Sequence, residues 1–326
     1  MRVLVTGGAG YIGSVIVARL AARGHDVVVF DDLSRGHAAA VPDGVPLVRG
    51  DVRDAPALRA ALEEGDCQAV VHMAALAEVA ESVAEPERYR SVNVDGTAAV
   101  IEAAVAAGAG RLVFSSTAAV YGAPERTPID EEDALAPANP YGETKLAAER
   151  LLQRARSAGE LAATALRYFN ACGADGDHGE DHDPESHLIP LALRAARDGG
   201  PIRVFGDDYP TPDGTCVRDY VHVADLADAH IAALEALPGV QGSFNLGTGT
   251  GDSVRAVLDT VEAVTGRPLR RELSARRAGD PPVLVASNRR AAEQLAWAPR
   301  RALTGAVADA WAWMGRHPDG YGDARD

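Results

Sequence analysis

Apolar positions along this chain follow two alternating patterns. Short continuous runs, Val3–Val5, Val27–Phe30, Pro46–Val48, Ala69–His72, Leu112–Phe114 and Ala163–Arg167, have the length and composition of buried strands. Alanine-rich stretches with helical apolar spacing lie between them, "SVIVARLAARG" being the clearest. Strands alternating with helices predict an α/β fold built on a doubly wound parallel sheet, whose ligands collect at the carboxyl ends of the strands. The segments that follow the strands are therefore the candidate site: "GGAG", "DD", "GDV" (Gly50–Val52), "HMAA" (His72–Ala75) and "SSTAAVYG". After about residue 170 the texture changes. "NACGADGDHGEDHDPESHLIP" and "FGDDYPTPDGTCVRDY" are long, acidic and rich in turn residues, and loops of that length are usually binding or lid segments. The expected organisation is a first domain over 1–170, joined by part of 215–240, and a smaller α/β substrate-binding domain over 171–326.

Composition narrows the classes of function. The chain has 326 residues, 47% of them hydrophobic, which is ample for a core. Its 47 acidic against 32 basic residues give a net charge of −15. Such a surface repels phosphate backbones, so neither a nucleic acid nor a membrane is expected as a partner. Cys67, Cys172 and Cys216 are far apart and form no zinc-type spacing, which suits a reducing compartment, and no metal is expected. No apolar stretch reads as a signal or a transmembrane helix, so a cytoplasmic location is expected.

"RVLVTGGAGYIG" breaks from a strand into glycines and runs into a helix. Gly8, Gly10 and Gly13 match G-x-G-x-x-G, and a second strand ends in Asp31 about 20 residues on, the spacing of a Rossmann-type dinucleotide site. The glycines let backbone approach a pyrophosphate, and the helix N-terminus supplies free N–H groups and partial positive charge. A carboxylate at Asp31 accepts from ribose hydroxyls and repels a 2′-phosphate, which favours NAD over NADP. Without the strand, helix and acid around it, the pattern reads only as a glycine turn packing a helix on a strand.

"ANPYGETKLAAER" carries the sharpest chemical signal. Pro140 suits the first turn of a helix, and Tyr141 and Lys145, four apart, share one helical face. A phenol ionises near ~10, so a base working near neutrality needs roughly 4 kcal/mol of differential stabilisation. A neighbouring ammonium and a positive nicotinamide ring both act in that direction, which makes Tyr141 a candidate general base for a sugar hydroxyl. An isolated Tyr and Lys at this spacing is more often a solvated surface pair.

T-G-G-x-G-x-x-G, a strand ending in "SST" and Y-x-x-x-K together resemble the extended short-chain dehydrogenase/reductase superfamily. With "NVDGTAAVIEA", "ALRYFNACGA", "YPTPDGTCVRDYVHV", "FNLGTGTGDSV" and "RRAGDPP", the chain is similar, essentially end to end, to the nucleotide-sugar 4-epimerases that act on UDP-glucose and UDP-galactose. The resemblance implies that NAD takes and returns the C4 hydride through a transient 4-ketose. It places NAD on Gly7, Gly10, Tyr11, Ile12, Gly13, Asp31, Asp32, Asp51, Val52, Met73, Ala74, Ala75, Asn93, Ser115, Tyr141, Lys145 and Phe169. It makes Thr117, Tyr141 and Lys145 the catalytic group. The UDP-sugar would meet Thr117, Tyr141, Asn170, His187, Leu188, Phe205, Arg218, Arg277, Asp280 and Leu284. Similar enzymes that dehydrate nucleotide sugars carry an Asp-Glu pair just after the Thr; here Ala118 and Ala119 offer neither acid nor base, and elimination needs both. The chain departs from many relatives at Ala77, where they place a lysine near the pyrophosphate, and at Arg203, where a small residue is frequent. The resemblance also implies a homodimer through helices at about Glu87–Ala107 and Tyr141–Ser157. Alternatives are a 4-epimerase of another UDP-sugar (N-acetylhexosamine, pentose or uronate) and an inactive NAD-binding regulator, which would normally lack the Tyr or Lys.

Overall fold

Seven strands, β1 Arg2–Thr6, β2 Asp26–Asp31, β3 Leu47–Arg49, β4 Ala69–His72, β5 Arg111–Thr117, β6 Ala162–Tyr168 and β7 Gly242–Leu246, form one parallel sheet in the order β7-β6-β5-β4-β1-β2-β3. The computed structural model describes residues 1–277 and 279–322. The first six strands lie on the apolar runs of the sequence. The seventh, "GSFNL", has no strong apolar run, and it brings the chain back to the sheet beyond residue 240, where the sequence reading ended the returning segment.

Strand alternation divides the core in two. Val3, Val5, Val27 and Val29 point to one face, under α1 (Tyr11–Ala22) and a helix at Val223–Ala236. Leu4 and Phe30 point to the other, under α2 (Ala55–Glu64), α3 (Gly96–Ala107) and α4 (Pro140–Ser157). Both faces of a parallel sheet are covered, so its strands read as continuous apolar runs. The sheet order turns back at β1, which lies between β2 and β4. The crevice at the carboxyl ends of β1 and β4 is the topological switch point where such folds bind ligands.

Residues 87–107, expected as one helix, are interrupted. Pro86–Arg90 passes through a π turn at Ser91–Asp95 before α3 begins. The wider turn carries Asn93, which is buried beside the segment that follows β4.

A smaller layer follows β6. α5 (Leu188–Asp198), α6 (the helix at Val223–Ala236), α7 (Val254–Thr265) and α8 (Leu303–Arg316) complete the set of longer helices. α5, α7 and α8 share a core through Leu193, Val257, Leu258, Val261 and Val307. Short strands stitch this layer to the large sheet: Asn170–Cys172 pairs with Tyr220–His222, and Val217–Arg218 lies between Asp252–Ser253 and Val283–Leu284. Among the described residues no helix is long and apolar enough to cross a membrane.

Gly13 sets how closely α1 approaches β1, since a Cβ there would lie 2.1 Å from the Gly7 carbonyl oxygen. Gly13→Ala is expected to cost about 2–3 kcal/mol of unfolding free energy in denaturant titration. Gly110→Ala, where a Cβ meets nothing within 4 Å, is expected to stay within ~0.5 kcal/mol of wild type. Equal stability of the two variants would contradict the packing described.

Candidate active site

The glycine turn after β1 is a backbone cradle. Gly7 has φ +69°, and a Cβ on it would stand 2.5 Å from the Ala74 nitrogen, so the turn after β4 (Met73, Ala74, Ala75) presses on bare backbone. α1 starts at Gly10 with no side-chain cap and no acidic residue in its first turn, which leaves its positive end open. Asp31 is nearly buried at the end of β2 and accepts from Ala9 N–H at 3.0 Å and Leu33 N–H at 2.9 Å. Burial raises its pKa, and the two N–H groups oppose that shift. The same carboxylate thus ties the glycine turn to β2 and retains acceptor capacity on both oxygens. Asp32 accepts from Ser34 N–H and Oγ, while Asp51 pairs with Arg53. These features fit a dinucleotide: an open helix end, a cradle that side chains would fill, and a carboxylate at the end of the next strand.

Other residues expected at the cofactor also make contacts within the protein. Asn93 donates both amide hydrogens to protein partners, the Leu76 carbonyl at 3.0 Å and Thr144 Oγ1 at 3.0 Å, and accepts from Leu76 N–H at 2.8 Å. It clamps the strand-end segment after β4. Tyr11 donates to the Gly173 carbonyl at 2.6 Å, reaching across to the smaller layer, and Ile12 packs against the core beneath α1. Val52 lies under Gly96 at the start of α3. Phe169 and Leu284 pack together on Val120, Tyr121, Ile129 and Leu146. Ala77 and Arg203 are exposed.

The catalytic candidates converge where α4 meets the end of β5. Asn139 caps α4 by accepting from Gly142 N–H at 2.9 Å, and Pro140 fills its first position. Gly142 makes close approach possible, since a Cβ there would lie 2.6 Å from the Ala119 carbonyl. Thr117 Oγ1 accepts from Ala119 N–H at 3.1 Å, and the Thr117 hydroxyl lies beside the Tyr141 phenol. Burial pushes Tyr141 up to about 12, and the neighbouring Thr117 hydroxyl opposes that shift. Within the protein alone, burial outweighs the polar neighbours and keeps the phenol above its ordinary value, so a low value needs the further positive charge of a bound cofactor. Lys145 Nζ donates to the Ser115 carbonyl at 2.9 Å and lies 4.9 Å above the Phe114 ring; burial brings it down to about 7, with the Glu149 charge opposing. Ser115 Oγ contacts the Tyr168 hydroxyl.

Beneath this site lies a buried polar network that periodicity did not reveal. Glu149, four residues after Lys145 on the same face, forms a two-pronged pair with Arg167 of β6 at 2.9 and 2.6 Å and accepts from Ser116 Oγ at 2.5 Å. Arg167 also donates to Tyr121 Oη at 2.9 Å, and Tyr121 donates to Asn245 Oδ1 at 2.7 Å. An acid at helical spacing beyond the lysine and a lone arginine in an apolar strand were the available signals.

On the other side of the crevice the smaller layer gathers the expected substrate residues. Arg218 is paired with Asp280, and Leu284 sits beside it in register. The Arg277 guanidinium stacks on Phe205 at 4.2 Å. Asn170 begins the strand that follows β6 and donates its N–H to the Asp219 carbonyl at 2.9 Å. Asp219, not singled out from sequence although it lies within "VRDY", is fully buried. It accepts from Thr248 N–H and Oγ1, Gly249 N–H and Ala286 N–H, fixing two segments beside its neighbour Arg218. Leu188 opens α5, but His187 just before it turns to Glu180 and Glu185, at 2.8 and 2.9 Å.

Comparison with known proteins agrees with this geometry. Residues 3–247 match the NAD dependent epimerase/dehydratase family. The chain is 50% identical over 325 residues to a UDP-glucose 4-epimerase of Streptomyces lividans, covering 99% of this chain and 98% of the relative. A crystal structure of a UDP-glucose 4-epimerase superposes with a TM-score of 0.96 at 43% identity, covering 99% of this chain and all (100%) of the other. The UDP-glucose 4-epimerase of Brucella ovis, crystallised with NAD, gives a TM-score of 0.93 at 46% identity, covering 96% and 98%. On this family match, full-length identity and shared fold, the chain belongs to the NAD dependent epimerase/dehydratase family, in the branch formed by the UDP-glucose 4-epimerases.

Proposed function

We propose that the protein interconverts UDP-galactose and UDP-glucose, using a retained NAD. The observation that carries this reading is the convergence of Thr117, Tyr141 and Lys145 where α4 meets the end of β5, on a turn whose next two side chains are the methyl groups of Ala118 and Ala119. Thr117 orients the sugar 4-hydroxyl, and Tyr141 removes its proton and later returns one. NAD, when bound, supplies a hydride acceptor at C4 and a positive ring that favours the phenolate. Lys145 adds to that positive field and holds the nicotinamide ribose. The substrate passes through a 4-ketose, and with no acid or base on Ala118 or Ala119 the ketose keeps its C6 hydroxyl. Gly7, Gly10, Gly13 and Asp31 hold the cofactor's phosphates and ribose. Arg218 and Arg277 neutralise the substrate diphosphate, with Asp280 steadying Arg218 and accepting from the uridine ribose. α3 and α4, side by side on one face of the sheet, are the surface proposed for pairing two chains.

UDP-galactose should be converted to UDP-glucose without added NAD, and denaturation should release NAD. Tyr141→Phe is expected to lower kcat by about 10²-fold or more with NAD still bound. Undiminished turnover would remove Tyr141 as the base.

Lys145→Met is expected to abolish most turnover yet raise thermal stability, because it removes a buried ammonium while Glu149 keeps Arg167. The sign follows from a folded pKa of about 7 against an unfolded value near ~10.4. Between these values the unfolded chain binds more protons, so wild-type stability rises with pH. The variant's advantage should be largest below pH 7 and shrink toward about pH 10 in thermal melts; a variant less stable at pH 6 would contradict it.

Leu284 supplies a wall of intermediate size at the sugar end, packed against Val120 and Leu146. Turnover of UDP-galactose should exceed that of UDP-N-acetylgalactosamine, which is still accepted. Competition between the two sugars measures it, and a strong preference for the acetamido sugar would overturn the substrate assignment.

A further inference from the structure

The acidic loop between the strand at Asn170–Cys172 and α5 places two imidazoles and two carboxylates around one point. The donor atoms of Glu180, His182, Glu185 and His187 all lie within 4.8 Å of one another. His187 Nδ1 is 2.8 Å from Glu180 Oε1 and 2.9 Å from Glu185 Oε1, and His182 Nδ1 is 3.1 Å from Glu180 Oε1. A tetrahedral ion with bonds of about 2.0–2.1 Å separates its ligands by roughly 3.3 Å, so a small contraction or expansion of this cluster would seat one. Both carboxylates are withdrawn from water, with side-chain exposures of 8% for Glu180 and 1% for Glu185. Glu185 Oε2 is buried and has no hydrogen-bond partner. A buried carboxylate oxygen with nothing to accept from is costly unless a cation satisfies it.

We propose that Glu180, His182, Glu185 and His187 form a structural site for one zinc-type divalent ion. Mixed imidazole and carboxylate donors favour a borderline transition ion over magnesium or calcium, which take oxygen ligands. Four protein donors close a tetrahedral shell, so the role is structural. A polar cleft of about 250 Å³, lined in part by His182 and Arg194, opens beside the cluster and offers an entry path.

The site's position gives it a purpose. His182 meets the ring of Tyr11 edge-on at 6.3 Å, and Tyr11 bonds Gly173 at the start of the same loop. Arg35 donates to the Asp183 carbonyl, and His187 directly precedes α5. An ion here would staple the loop between the nucleotide cradle and the helix that faces the substrate.

The test is metal content, read independently of epimerase activity. The full-length protein, stripped with a chelator and dialysed against zinc, is expected to retain about one zinc per chain by elemental mass spectrometry. Its melting temperature should rise by a few degrees over the stripped form. Cobalt(II) should give the intense visible bands of a tetrahedral site, and excess magnesium should not displace zinc. His182→Ala and Glu185→Gln should each lose the ion. If a variant fails to fold, the wild-type titration decides: far less than one zinc per chain overturns the site, as does full zinc retention by a folded His182→Ala.

Discussion

The pair between Glu149 and Arg167 is the contact on which the site depends. It ties α4 to β6, while Ser116 ties the same carboxylate to β5, so the helix carrying Tyr141 and Lys145 is held to two strands at once. Both charges are almost fully buried. Removing one partner of such a pair costs about 3–5 kcal/mol, because the other is left charged in an apolar layer. Arg167 continues the hold to Tyr121, and through Asn245 to β7, so the turn bearing Ala118 and Ala119 is fastened by the same network. The placement of Tyr141 and Lys145 thus rests on a pair of buried charges beneath them.

Around that anchor, backbone makes most of the space. Gly13 and Gly7 bring α1 and the Met73–Ala75 turn onto bare main chain, and Gly142 does the same for α4 and Ala119. The result is a crevice where an open helix end, a hydroxyl pair and an ammonium share one edge of the sheet. Tyr141 and Lys145 are pulled in opposite directions by one cause: burial raises the phenol and lowers the ammonium, each toward its neutral form. A positive charge brought into the crevice therefore has a large effect on the phenol, because little water screens it.

Much of this was legible in the sequence. Alternating periods located six of the seven strands, and G-x-G-x-x-G with an acid at the next strand end located the nucleotide cradle. Tyr141 and Lys145 were readable because helical spacing alone puts them on one face. β7 was not legible from period, since its short run carries Ser243 and Asn245, and the place of Asn245 is set by Tyr121 and Glu131. The hold of Asn93 on Leu76 was not legible, because it depends on a π turn that faces Asn93 inward. The contacts of His187 with Glu180 and Glu185, only a few residues away in the chain, were not legible either, because they depend on how the loop folds back on itself.

What the sequence determined by itself was periodicity, turn chemistry and short-range spacing, and these specify elements, their order and the motifs carried on single elements. Only the tertiary structure decided which distant polar groups meet. Glu149 with Arg167, Tyr121 with Asn245, and Asp219 with Thr248 and Ala286 are partnerships between segments remote in the chain. Their identities follow from strand order and helix register, because a buried polar group is satisfied by whatever packing brings within hydrogen-bond reach.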